Sequence, residues 1–279
     1  MSFLSRYSRN LNGTLNGCAI ALAVAGAFAI AQPASATTFV FDWDRNTDGS
    51  DPSQGSWCAP NCFKDKDDPI WYNNRVGNYD NIFARYDDQS GDLTWSSTFS
   101  AYDDKLPEGA WLVINNGQNP RSDGKDNAIF YLDGITGRLT AYKYNDENNS
   151  ASWQQEQFLQ SWDNAVSLVD DGNGNRTLGF DINVAALNAL TGVSTGGEEW
   201  LGAQFDEHIG IWYHAVDNFS ATYDEETKEL TSFSGYGSWY DTGGYIDTEI
   251  ESVPEPSVGL LGLAAFGLMI KRRRQGNVA

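Results

Sequence analysis

Between Thr37 and Ser252 the chain never holds apolar residues at helical spacing for long. Short aromatic and β-branched runs recur instead, each bounded by Asp, Asn, Gly or Ser. Those bounding residues end strands and open turns. Strands are predicted over Thr38–Trp43, Tyr79–Tyr86, Leu93–Phe99, Trp111–Ile114, Ala128–Leu132 and Arg138–Tyr144. Further strands are predicted over Thr177–Ile182, Ile209–Val216, Phe219–Tyr223 and Leu230–Phe233, with Trp239–Tyr240 opening another. Asn183 is placed to cap a short helix over Val184–Leu190, ended near Gly192. Ala151–Trp162 reads as a second helix or as an irregular loop.

Three segments repeat one design. They are Tyr86-Asp-Asp-Gln-Ser-Gly-Asp-Leu-Thr-Trp95, Tyr131-Leu-Asp-Gly-Ile-Thr-Gly-Arg-Leu-Thr140 and Tyr223-Asp-Glu-Glu-Thr-Lys-Glu-Leu-Thr231. Each runs from an aromatic residue through an acidic turn with Ser or Thr into Leu-Thr. Asp and Ser or Thr bond nearby backbone in turns, and Gly accepts positive φ. Lys228 stands where the other two have Gly91 and Gly137. The copies are unevenly spaced, so they mark a recurring hairpin and not a solenoid repeat. Many short strands with turn signals predict an all-β fold, an antiparallel β-sandwich or jelly roll of lectin-like type.

The two ends differ from this body. Arg6 and Arg9 precede an apolar stretch, Cys18 to Ile30, followed by Gln32-Pro33 and Ala34-Ser35-Ala36. A positive start, a short apolar core and a small-x-small ending predict a signal peptide over residues 1–36, cleaved after Ala36. At the other end Pro254-Glu255-Pro256 leads into an apolar run, Val258 to Ile270, closed by Lys271-Arg272-Arg273-Arg274. At about 1.5 Å per residue that run reaches only about 20 Å, against a hydrocarbon core of about 30 Å. The cations can snorkel to lengthen it, and they hold its end on the cytoplasmic side. The prediction is a short C-terminal transmembrane helix that anchors weakly.

Turn, apolar segment, basic stop and chain end in that order resemble the PEP-CTERM sorting tail of exported bacterial proteins. The resemblance covers residues 253–279, with Pro254, Glu255 and Pro256 as the sorting motif and Lys271, Arg272, Arg273 and Arg274 as the basic cluster. It implies a partner, exosortase, a membrane transpeptidase-like enzyme that recognises the motif and removes the tail. It implies delivery to the outer surface or extracellular matrix, near exopolysaccharide, with transient anchoring in the inner membrane. In a cell without exosortase the tail would act as a simple anchor.

Charge narrows the partners of the body, residues 37–252. The end segments hold six of the chain's 18 Lys and Arg and one of its 38 Asp and Glu, leaving 12 basic against 37 acidic residues, a net charge of −25. Phosphate is repelled by such a body, which excludes nucleic acid as a partner. Solubility, cation binding and neutral partners remain. Once residues 1–36 are removed only Cys58 and Cys62 are left, in Cys58-Ala-Pro-Asn-Cys62. In an exported protein they are a candidate disulfide, with free thiols as the alternative.

Candidate ligand residues are few. Asp44-Arg-Asn46-Thr-Asp48-Gly49 places oxygen donors at alternate positions before a glycine, as a calcium loop does. The twelfth position is Gly55 where an EF-hand needs Glu, so Asp44, Asn46 and Asp48 mark either a calcium loop in a β domain or a plain polar loop. Asp171-Gly-Asn173-Gly-Asn175 is a weaker form, read first as a turn. His208 and His214 fall on one strand face about 20 Å apart, too far to share a metal within the strand. No catalytic residue is singled out: there is no Glu-x-Asp-x-x-Glu cluster of the glucanase kind, and the acidic strand segment Asp206-Glu207-His208 lacks that alternation. Of the 10 tryptophans, Trp57, Trp71, Trp153 and Trp239 sit in polar or Gly- and Asn-rich surroundings. They are the candidates for stacking on sugar rings, whereas Trp111 and Trp212 lie in apolar strands and read as core. The function expected is a non-catalytic structural or polysaccharide-binding module, with an extracellular polysaccharide hydrolase as the alternative.

Overall fold

The computed structural model describes residues 36–45, 76–116, 120, 125–145, 151–194, 199–242 and 244–252. Fourteen strands and two one-turn helices make up the described body. The strands are β1 (Thr37–Asp44), β2 (Asn78–Asp87), β3 (Asp92–Ser100), β4 (Gly109–Asn115), β5 (Asp126–Asp133), β6 (Arg138–Tyr144), β7 (Phe158–Trp162), β8 (Val166–Asp170), β9 (Asn175–Asn183), β10 (Trp200–Gly202), β11 (His208–Tyr223), β12 (Leu230–Asp241), β13 (Ile246–Asp247) and β14 (Glu249–Ser252). The helices are α1 (Ser152–Gln155) and α2 (Ala185–Asn188).

Two sheets face each other. One runs β14-β1-β2-β3-β9-β8 and the larger runs β12-β11-β4-β5-β6-β7, with β10 added beside β5 and β13 beside β11. Every pairing is antiparallel except the short β10–β5 contact. Each sheet is built on a meander, β1-β2-β3 or β4-β5-β6-β7, and later strands return to flank it. This is the predicted all-β antiparallel sandwich. Its main core joins Trp43, Tyr79, Trp95 and Phe99 of the first sheet to Leu112, Phe130, Tyr213 and Tyr240 of the second. Tyr213 is buried, and its hydroxyl meets Ser97 Oγ at 2.7 Å, so the polar tip does not go unsatisfied.

Local sequence explains which strands were legible. β2 and β3 alternate buried and less buried residues along their length, the period-two signature of a half-buried sheet. In β4 (Gly-Ala-Trp-Leu-Val-Ile-Asn) and β5 every residue is buried, because the larger sheet is covered on both faces. Ile209–Val216 and Phe219–Tyr223 form one strand, β11, with a register shift between Asp217 and Ser220 and Asn218 at φ 46°. Trp239–Tyr240 continues β12 and does not open a new strand. The helix predicted over Val184–Leu190 shrinks to the single turn α2, and its cap position is Val184, not Asn183; Asn183 stands one residue earlier, its Oδ1 accepting the Ala185 N–H at 3.1 Å. Ala151–Trp162 splits into α1 and the strand β7.

Candidate functional site

The outer face of the larger sheet carries a second apolar layer. Trp111 and Val113 of β4, Ile129 and Tyr131 of β5, Tyr142 and Tyr144 of β6, and Trp212 of β11 form it with Leu230. The bent end of the β11–β12 hairpin folds over part of this layer. Phe233 packs edge-on to Tyr131 with ring centres 4.9 Å apart, and the Leu230 N–H donates to the Tyr142 hydroxyl at 2.7 Å. Tyr223 donates to Asp133 at 3.0 Å while Arg138 lies 4.4 Å above its ring. Trp111 and Trp212 are therefore core, as their apolar strands imply, although in a second layer outside the main one.

His214 belongs to this layer. Its ring lies 4.0 Å from that of Trp111, and its Nε2 is shielded from solvent. Burial pushes the imidazole down to about 3, while its hydrogen bond to the Gly237 backbone works weakly the other way. A histidine held neutral against the Trp111 ring serves packing.

The described surface has one exposed aromatic cluster with polar companions. Tyr245 is 63% exposed, the most exposed large hydrophobic side chain among the described residues. Its ring meets His208 in a T-shaped contact with centres 4.5 Å apart. The His208 ring lies between two carboxylates, Asp206 at 3.8 Å from Nδ1 and Asp247 at 3.5 Å from Nε2. Asp206 also accepts the His208 N–H at 3.0 Å, and Thr248 donates its hydroxyl to the Asp206 carbonyl at 2.6 Å and its N–H to Glu207 at 2.9 Å. These bonds tie β13 to the start of β11 and hold the cluster on a rigid edge. An exposed aromatic ring beside carboxylates is the chemistry that grips a sugar, by stacking on C–H faces and accepting from hydroxyls. The imidazole fills the space between the two acids, so they do not frame a scissile bond. Sequence reading missed Tyr245; its signal was an aromatic residue directly after Gly243-Gly244 and before Asp247.

Asp217 is the other unusual acid. It is 8% exposed at the bend of β11, and burial holds its carboxyl above the ordinary range, with Lys105 pulling it down and Glu108 adding to the rise. Glu108 accepts the Phe219 N–H at 3.2 Å, so it shapes the same bend.

Few of the sequence-derived candidates lie among the described residues. Asp44 ends β1 opposite Asn81, while Asn46 and Asp48 lie outside the described residues. Among the described residues no three His, Cys, Asp or Glu side chains are grouped to hold a metal ion. The Asp171 carboxylate is spent on its own turn, accepting the N–H of Asn173 at 2.6 Å and of Asn175 at 3.1 Å and the Asn175 amide at 2.7 Å. Trp153, in α1, is half-buried against the outer aromatic layer. Trp239 lies in β12, its backbone paired with His214. Trp57, Trp71, Cys58 and Cys62, the sorting residues 254–256, the apolar run 258–270 and the basic cluster 271–274 all lie outside the described residues. Among the described residues no helix is long and apolar enough to cross a membrane.

The strand ends give the body its frame. β1 starts at Thr37 and β14 stops at Ser252, and these two residues pair directly. No protein-family model, no curated protein and no solved structure matches the chain.

Proposed function

We propose that the chain is an exported surface or matrix protein, whose lectin-like β-sandwich is a non-catalytic structural or glycan-binding module delivered through a PEP-CTERM tail. The observation that carries this reading is the Thr37–Ser252 pairing. The sequence puts signal cleavage directly before Thr37 and the sorting motif directly after Val253. The two residues that flank the expected leader and tail thus pair with each other, β1 to the edge strand β14. The short apolar run 258–270 then anchors the body until exosortase acts at Pro254-Glu255-Pro256. Glycan contact falls to the exposed ring of Tyr245 with Asp206 and Asp247, and to tryptophans of the polar loops. The acidic body supports neutral polysaccharide over nucleic acid.

A glycan array and affinity electrophoresis on the exported protein test the binding half. Retention on a neutral polysaccharide, reduced at least tenfold by Tyr245→Ala, is the expected result. No retention on any glycan would leave the structural role alone.

An extracellular polysaccharide hydrolase is the second reading, favoured by Asp217, whose carboxyl burial holds above the ordinary range, as a general acid requires. Burial of Asp217 within the strand bend weighs against it. Release of reducing sugar that Asp217→Asn abolishes would establish it.

A further inference from the structure

We infer that Asp88 is the seat of a new α-ammonium group, created at Thr37 when the leader is removed. The inference rests on the export reading above. The Thr37 backbone nitrogen donates to Asp88 Oδ1 at 2.8 Å, and the Asp88 N–H donates back to the Thr37 carbonyl at 3.1 Å. A carboxylate thus already waits at the atom that cleavage after Ala36 would turn into a cation. In that step water adds across the Ala36–Thr37 peptide bond under a membrane signal peptidase. Ala36 leaves with the carboxylate, and Thr37 keeps the nitrogen, which takes up a proton as –NH3+. The N–H···carboxylate contact becomes an ion pair with charge on both partners.

The turn itself does not need Asp88. Asp87 makes the turn, accepting the N–H groups of Gln89 at 3.0 Å and Ser90 at 2.7 Å. In the two sister hairpins Gly134 and Glu225 follow the turn aspartate. Asp88 is free for the chain start. The pair would clamp the first residue of β1, whose partner across the ladder is Ser252, two positions before Pro254. Leader removal would therefore tighten the strand pair from which the sorting tail departs.

The test uses the full chain, exported with its own leader, in wild-type and Asp88→Asn forms. N-terminal sequencing comes first. The Thr37 α-amine is then labelled with an amine-reactive ester from pH 6 to pH 10. Asparagine keeps an acceptor oxygen and removes only the charge. The expected result is Thr37 at the N-terminus, labelled about threefold more slowly in the wild type than in the variant at pH 7, which corresponds to about half a pKa unit. The two rates should converge above about pH 9.5, where both amines are neutral. A role in folding alone would not produce that convergence. If the variant is not recovered folded, the wild-type profile decides by itself: a midpoint above the ordinary α-amino range of about 7.7–8.0 supports the pair, and one inside or below it overturns the pair. A start other than Thr37 would overturn the cleavage reading as well, whereas Thr37 with an unshifted amine overturns only the role of Asp88.

Discussion

At the residue scale, two side chains set conditions on stability. Lys228 sits at φ 67°, where Gly91 and Gly137 serve in the sister turns at 75° and 78°. A left-handed L-residue costs about 1–2 kcal/mol, partly offset by the chain entropy that glycine loses. Lys228 gives back only an exposed contact with Glu225 at 3.8 Å. Lys228→Gly is expected to stabilise the protein by about 0.5 kcal/mol in urea unfolding, and a loss of stability would contradict this reading of the turn. His214 sets the pH response. The folded ring protonates at about 3, the unfolded ring near its ordinary value of about 6.5. Its contribution is whole above pH 6.5 and drains away as pH falls toward 3, since only the unfolded chain takes up the proton in that window. Discounted for partial exposure, the effect is about 2 kcal/mol. Between pH 7 and pH 4 the wild-type melting temperature should therefore fall about 5 °C further than that of His214→Gln. Parallel falls would show that the ring is not buried as described.

At the element scale, the hairpin echo was the most legible part of the sequence. In all three copies one aspartate oxygen caps two successive N–H groups: Asp87 those of Gln89 and Ser90, Asp133 those of Ile135 and Thr136, Asp224 those of Glu226 and Thr227. The fifth residue of each turn returns its N–H to the aspartate carbonyl, from Gly91, Gly137 and Lys228. Copies that share chemistry differ in burial. Asp133 is 1% exposed and also accepts from Thr136 Oγ1 at 2.6 Å and Tyr223 at 3.0 Å, so Asp133→Ala should cost about 3 kcal/mol. Asp224→Ala, in the exposed copy, should cost about 1 kcal/mol. Equal losses in chemical denaturation would contradict this ranking. The glycines separate in the same way: a Cβ on Gly91 would meet Ala185 at 2.6 Å, while on Gly137 the nearest atom is 3.4 Å away, so Gly91→Ala should be the more damaging change. What sequence could not supply was the bend at Asn218, which joins two predicted strands into β11 and folds its end over its own sheet. Nor could it supply β7, β8, β10, β13 and β14, which run only two to five residues, too short for a period to stand out. β8 reads Val-Ser-Leu-Val-Asp and β14 Glu-Ile-Glu-Ser, each at the edge of its sheet. β14 is held by backbone pairing to β1, far along the chain, and β8 by pairing to the next strand, β9.

At the scale of the whole molecule, two covered sheet faces explain the demand for aromatics. The buried aromatic side chains fill two layers, one between the sheets and one outside the larger sheet. The tryptophans read as core from their apolar strands were legible for that reason, whereas Trp153, in a polar setting, packs against the second layer. The candidate binding edge was not legible, because His208, Asp206, Tyr245 and Asp247 meet only when β13 pairs with β11. The central claim is that this sandwich runs from Thr37 to Ser252 as an exported body and reaches its destination through a tail that is then removed. Intact mass of the native surface protein tests it most directly. The account predicts a species that begins at Thr37 and lacks Leu260 to Arg274; a mass that retains residues 1–36 or that basic, apolar tail would contradict it.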